Sequence, residues 1–358
     1  MNPNEQALQY PWADQLPERA CAIEVAPGLR WIRLPLPFAL DHVNVWLVRD
    51  TFEGRDGWTL IDCGVDREAV RAQWEQIFTD CLDGLPIVRV LVTHMHPDHV
   101  GLAGWICERW NAPLWMTMTD FFVATLWLAS AGAHKGARGG ESAVEHFKQH
   151  GLSDPDHLEK IRERAQYYPS LVSPMPTQYR RIVDGEIIAI GTRQWRVIIG
   201  YGHAPEHISL YDEGTNIFIA GDMVLPRIST NVSVFDYEPD GNPLKLYLDS
   251  LVKYEPLPED ALVLPSHGRP FTGLHLRIQQ QRDHHRDRLA EVAEACAQQG
   301  RTVTEIVPVL FKRALDTHQL TFAMGEALAH LNMLLFQGDL TRREGADGII
   351  RFYGPKAA

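Results

Sequence analysis

Residues 94–99 read His-Met-His-Pro-Asp-His, directly after the apolar run Val88-Arg89-Val90-Leu91-Val92-Thr93. Four side chains able to hold a divalent cation are packed into six positions. Imidazole nitrogens and a carboxylate are the donor set of zinc-type hydrolytic sites. Placed together for folding alone, they would repel on protonation and pack poorly. The segment therefore constrains the fold: a strand has to end here and deliver these groups to an edge where a site is built.

Four other apolar runs end in the same way. Asp62-Cys63-Gly64 follows Trp58–Ile61, Gly202-His203 follows Trp195–Ile199, Gly221-Asp222 follows Asn216–Ala220, and Ser266-His267-Gly268 follows Ala261–Leu264. In a layered α/β fold the C-terminal ends of strands converge on one edge, and sites form there. The adjacent Gly residues permit tight turns and close backbone approach.

The remaining pattern fits that class. Runs at Leu29–Leu34, Val43–Val48 and Pro113–Met116 read as strands, and Arg67–Cys81 reads as an amphipathic helix. A further helix is expected from about 98 to 110, so strands and helices alternate as in α/β architectures. Residues about 118–180 depart from this. They read as a helical insertion, with helices at Phe121–Ser130 and His157–Tyr167 separated by a Gly/Ala/Ser-rich mobile loop at 129–140. After Gly273 the chain predicts one long helix over 274–299, two or three short helices over 302–336, and a hairpin over 340–352. The expected division is thus a catalytic domain, 1–273, and a small winged-helix-like domain, 274–358.

The strand-end motifs resemble, in order, those of the metallo-β-lactamase-fold hydrolases. The matching elements are Asp62-Cys63-Gly64, Thr93 to His99, Gly202-His203, Gly221-Asp222 and Ser266-His267-Gly268. The resemblance covers roughly residues 28–273. It implies an α/β fold, a four-layered αβ/βα sandwich with two divalent ions in a groove at its edge. Zinc is the first expectation, with iron or manganese also compatible. By the same resemblance His94, His96 and His203 would hold one ion, Asp98, His99 and His267 the other, and Asp222 would bridge them. Asp62 would orient ligands rather than bind metal, or would simply cap a turn.

With this set each ion keeps an open position. A water shared by two dications becomes acidic enough to supply hydroxide near neutral pH, and the ions polarise the scissile carbonyl or phosphoryl group. Asp98 is the candidate catalytic group, orienting the nucleophile and later carrying a proton. No Ser or Cys nucleophile is then needed, and no separate cofactor-binding motif is present. Asp222 separates the chain from the zinc β-lactamases proper, and points to the glyoxalase II-like and lactonase- or nuclease-like branches. His96 separates it from the flavodiiron oxidoreductases. The full set of seven donors separates it from the mononuclear iron persulfide dioxygenases. The segment from Ile278 to Arg288 and the tail after it resemble the lactamase-β-2-like branch, which includes endoribonucleases, polyketide thioesterases and other bacterial hydrolases. No glutathione-binding basic cluster stands at the end of the chain.

Composition bears on the partner. Lys+Arg is 34 and Asp+Glu is 46, giving a net charge of −12, which disfavours nucleic acid. No segment approaches the ~20 apolar residues of a membrane helix. The polar N-terminus has no signal-peptide pattern, so a cytoplasmic location is expected. The five scattered cysteines fit reduced thiols, with Cys63 notable for its place beside Asp62. The expected activity is a dinuclear zinc-dependent hydrolase of a small-molecule thioester, ester or lactone. A metal-dependent endoribonuclease and a non-catalytic metal-binding protein are the competing readings. A homodimer is compatible with the small C-terminal domain. The aromatics Phe121, Phe122, Trp127, Tyr167 and Tyr168 suggest a lid for an apolar acyl group or packing of the insertion. Arg180, Arg181 and Arg227 are candidates for an anion contact. His207, four residues after His203, is read as structural or as supporting a ligand, and the pair His284-His285 as solvated.

Overall fold

The computed structural model describes residues 3–38, 40–129 and 139–356. Most of the Gly/Ala/Ser-rich loop lies outside these residues. Two compact units are formed. One comprises Met1–Leu128, Pro169–Thr230 and Ser250–Ile278, and the other Ala129–Tyr168, Asn231–Asp249 and Gln279–Ala358. The insertion expected at about 118–180 is thus shared between them.

The first unit is built on two mixed sheets. One has seven strands in chain order: β1 (Ile23–Ala26), β2 (Leu29–Pro35), β3 (His42–Phe52), β4 (Arg55–Ile61), β5 (Ile87–Leu91), β6 (Leu114–Met116) and β7 (Arg180–Arg181). Pairing is antiparallel from β1 to β4 and parallel from β4 to β7. The other sheet holds β8 (Ile187–Ile190), β9 (Arg193–Gly200), β10 (His207–Asp212), β11 (Ile217–Gly221) and β12 (Leu262–Pro265), in the order β12-β11-β10-β9-β8. Only β11 and β12 run parallel there. Their apolar faces share one core, in which Trp31, Trp46, Ile61 and Leu91 of the first sheet meet Trp195, Ile199, Leu210 and Ile219 of the second. Burial of such large apolar side chains is the main driving force for the sandwich. The helix Glu68–Asp80 buries Val70, Trp74, Ile77 and Phe78, which lie on one of its faces.

The second unit is mainly helical. It contains the helices Gly140–Gln149, Pro155–Glu163, Val303–Leu310 and Thr317–Gln337, most of the helix Leu274–Cys296, and the hairpin β13 (Thr341–Glu344) and β14 (Ile350–Tyr353). Thr302 and Glu305 form a reciprocal capping box that starts the Val303–Leu310 helix. The segment expected to hold short helices instead ends in one of 21 residues, Thr317–Gln337. Gly325 sits within it because Ser233 and the Val234 carbonyl approach too closely for a Cβ. His285, expected to be solvated, is fully buried, with Nδ1 3.2 Å from Nε2 of His330. The charged residues around it in sequence point elsewhere while it faces a helix 45 positions away.

Candidate metal centre

The strand ends of the first unit bring the expected residues together. His94, His99, His203, Asp222 and His267 are buried, as is His96, and Asp98 keeps 18% of its side chain exposed. Pro97 opens the short helix Pro97–Val100, which carries Asp98 and His99 in its single turn. Two groups result. His94, His96, His203 and Asp222 form one, and Asp98, His99 and His267 the other.

In the first group Nε2 of His94, Nδ1 of His96 and Nε2 of His203 form a triangle with sides of 2.9, 3.1 and 3.2 Å. Zinc–nitrogen bonds of 2.0–2.1 Å in a tetrahedron place ligand nitrogens about 3.3 Å apart, so the triangle has the size of a coordination face. A neutral imidazole has one N–H and one lone pair. Three such nitrogens facing one another cannot all satisfy each other, and a cation at their centre satisfies all three. Asp222 Oδ2 stands 3.2 Å from His203 Nε2 and 4.0 Å from His94 Nε2.

In the second group Asp98 Oδ2 lies 3.6 Å from His99 Nε2 and 3.5 Å from His267 Nε2. Asp222 reaches this group as well, with Oδ1 3.4 Å from His267 Nε2 and Oδ2 3.6 Å from His99 Nε2. Buried His99 Nε2 and Asp222 Oδ1 have no hydrogen-bond partner among the described residues. Orphaned polar atoms of this kind are costly unless something binds them. The donor set and the orphans together fit divalent cations.

The outer nitrogens fix which ring atoms face inwards. His267 Nδ1 donates to the His42 carbonyl at 2.7 Å, leaving Nε2 with its lone pair. His99 Nδ1 lies 2.8 Å from Asp62 Oδ2. The Thr93 hydroxyl donates to Asp62 at 2.8 Å and so accepts from His94 Nδ1 at 3.0 Å. Carboxylate or carbonyl partners of this sort hold metal-binding rings in tautomer and orientation. Asp62 itself has φ +63°, a conformation uncommon for a residue with a side chain, and the bonds from Thr93 and His99 hold it there.

Charge in the cluster follows from the same contacts. Burial drives His94 well below the usual imidazole range, and the neighbouring His99, His96 and His207 push the same way. For His99, burial opposes protonation, yet Asp98, Asp222 and Asp62 outweigh it and hold the ring well above that range. Burial disfavours the Asp222 anion, but His267 and His99 prevail and keep it ionised. A cation bound here would require His99 to give up its proton, because a metal-binding imidazole must be unprotonated.

His207 opens β10 instead of adding a donor to either group. Its Nε2 accepts the Asp222 N–H at 3.0 Å, and its ring is 4.8 Å from that of His94. Burial lowers its pKa to about 3, so the ring is neutral. Gly221 has φ +56°, and a Cβ there would overlap the His207 ring, so the turn before Asp222 needs glycine. Cys63 is buried, and burial raises its thiol well above the usual range, which disfavours the thiolate that a nucleophile needs. Arg180 pairs with Glu186, and Arg227 lies 4.0 Å from Glu5. Phe121 stacks on Tyr179 with ring centres 3.9 Å apart, and Trp127 and Tyr168 are buried, whereas Phe122 is exposed.

His42 and Asn44 are contributors that no motif signalled. His42 Nε2 accepts the Gly268 N–H at 2.8 Å, and Asn44 Nδ2 donates to the Pro265 and Gly268 carbonyls at 2.7 and 3.0 Å. They brace the His267 loop from β3. The only sequence signal was Asn44, a polar residue within the apolar run Val43–Val48; His42 stands just before that run.

Known proteins are similar to this chain in sequence and fold. The metallo-beta-lactamase superfamily profile matches residues 39–267, and a profile described as metallo-beta-lactamase-like, C-terminal domain, matches 289–355. A crystal structure of a beta-lactamase domain protein from Burkholderia ambifaria is 53% identical, covers 99% of this chain and 100% of its own, and superposes with a TM-score of 0.92. A metallo-beta-lactamase family protein from Thermus thermophilus is 28% identical over 92% of this chain and all of its own, with a TM-score of 0.75. The probable metallo-hydrolase YqjP of Bacillus subtilis is 28% identical over 85% of this chain and 91% of its own length.

Proposed function

The chain belongs to the metallo-beta-lactamase superfamily and is a metallo-hydrolase of that fold, and from this premise we propose a dinuclear, zinc-dependent hydrolase of a small-molecule thioester, ester or lactone. In this reading His94, His96 and His203 hold one ion, and Asp98, His99 and His267 the second. Asp222 serves both. The observation that carries it is the place of the Asp222 carboxylate between the two groups, with Oδ2 3.2 Å from His203 Nε2 and 3.6 Å from His99 Nε2, and Oδ1 3.4 Å from His267 Nε2.

Bound divalent ions supply Lewis acidity and a water acidic enough to attack near neutral pH. The residues do the rest. Asp62, Thr93 and the His42 carbonyl present imidazole lone pairs inwards. Asp98, the most exposed of these carboxylates, is placed to accept a proton from the nucleophile and return it to the leaving group. The catalytic part is taken as 1–273 and the C-terminal part as 274–358, with selectivity assigned to the segment about 118–180. The net charge of −12 favours a small acyl substrate over RNA.

The test is to count metals in protein purified and reloaded at neutral pH, then to assay thioesters, lactones, β-lactams, phosphodiesters and single-stranded RNA. Two ions per chain and acyl hydrolysis lost in Asp98→Ala are expected. RNA cleavage that needs Asp98, without acyl hydrolysis, would overturn the substrate assignment.

A further inference from the structure

Asp120 lies outside every motif that marks the cluster, in the first turn of the helix Met118–Ala129, and is fully buried. Its two oxygens serve two different loops. Oδ1 accepts the Met95 N–H at 2.9 Å, and Met95 stands between His94 and His96. Oδ2 accepts the Glu206 N–H at 2.7 Å, and Glu206 lies on the segment between His203 and His207. The Thr117 hydroxyl is 3.3 Å from Oδ2 and 3.1 Å from the Glu206 carbonyl, and the Thr119 N–H donates to the Glu206 carboxylate at 3.1 Å.

A buried carboxylate is costly unless it is paired or fully hydrogen-bonded. Among the described residues no Lys, Arg or His forms an ion pair with Asp120, and the charged neighbour acting on it is Glu206, of like sign. Its hydrogen bonds therefore explain its presence. Receiving a separate backbone N–H on each oxygen requires a carboxylate, because an amide of the same shape turns a donor towards one of the two N–H groups.

We propose that Asp120 is a positioning residue of the metal centre. By holding the main chain at Met95 and at Glu206 on its two oxygens, it sets the separation between the His94–His96 pair and His203. The 2.9, 3.1 and 3.2 Å nitrogen triangle depends on that separation. The inference rests on the ligand assignment proposed above.

The experiment strips wild-type, Asp120→Asn and Asp120→Ala proteins with chelator. Each is then titrated with Co2+, read by visible absorption, and with Zn2+, read by competition with a chromophoric chelator. Wild type that takes up no cation overturns the ligand assignment, and the inference with it. Wild type that binds two ions, with Asp120→Asn weakened roughly 10- to 100-fold for one of them and its Co2+ spectrum altered, supports the inference. Unchanged affinities and spectrum in Asp120→Asn overturn it while leaving the ligand assignment standing. A lowered melting temperature of the stripped protein would then mark Asp120 as a support of the fold only. Asp120→Asn keeps the side-chain volume and carries the test if Asp120→Ala does not fold.

Discussion

Asp62 Oδ2 and His99 Nδ1 are 2.8 Å apart, and both side chains are almost completely buried. Asp62 follows β4 and His99 stands beyond β5, so this pair ties two neighbouring strand ends beneath the cluster. Asp62→Asn leaves one acceptor oxygen where two now serve Thr93 and His99, and so turns an amide NH2 group towards one of them. Metal affinity should fall roughly 10- to 100-fold, with one ion lost before the other, as measured by chelator competition. Retention of wild-type affinity would reduce Asp62 to a turn residue.

The Asp222 carboxylate stands 3.2 Å from His203 and 3.4 Å from His267, one from each group. Asp222→Ala should leave fewer than two ions per chain by elemental analysis and abolish turnover. A variant that still bound two ions would place the bridge elsewhere.

Gly221→Ala introduces a Cβ into the His207 ring at a positive φ. Overpacking together with backbone strain should cost about 2–4 kcal/mol, read as a shift of the urea midpoint at unchanged slope. His207→Gln retains an acceptor for the Asp222 N–H and should hold metal better than His207→Leu.

Cys63→Ala should keep its hydrolytic activity, and thiol alkylation of the folded protein should spare this position, because the thiol is buried and held protonated. Loss of turnover with unchanged metal content would show that the thiol takes part.

Burial lowers His330 to about 4 from its ordinary 6.5. Between these values the unfolded chain binds the proton and the folded chain does not. Stability therefore rises with pH across this window, is complete above 6.5, and is lost as the pH falls towards 4. The span corresponds to about 3 kcal/mol. Urea unfolding in chelator, followed by far-ultraviolet circular dichroism, should show a shallower pH slope for His330→Gln than for wild type.

The donors were legible in the sequence because four of them crowd into 94–99 directly after an apolar run, and His203, Asp222 and His267 each follow another such run and stand beside a glycine. β10 was not. His207, Ser209 and Asp212 occupy it, yet all six of its residues are buried, so neither alternation nor an apolar run marks it. The helix Gly140–Gln149 was hidden by the glycines that precede it. Asp120, His42 and Asn44 were silent because their partners lie far along the chain: 25 residues back for Met95, 226 ahead for Gly268 in contact with His42, and 221 ahead for Pro265 in contact with Asn44. Chemistry concentrated at strand ends can be read from local pattern, whereas the groups that brace it emerge only when the strands are laid side by side.

The candidate ligands come from strand ends spread between His94 and His267. An ion held by them is a reversible cross-link across most of the first unit, made only in the folded chain. Each tenfold excess of free ion over its dissociation constant then adds about 1.4 kcal/mol to folding. The lifetime of this protein would track the supply of its metal, so starvation for the ion would remove the polypeptide along with its activity.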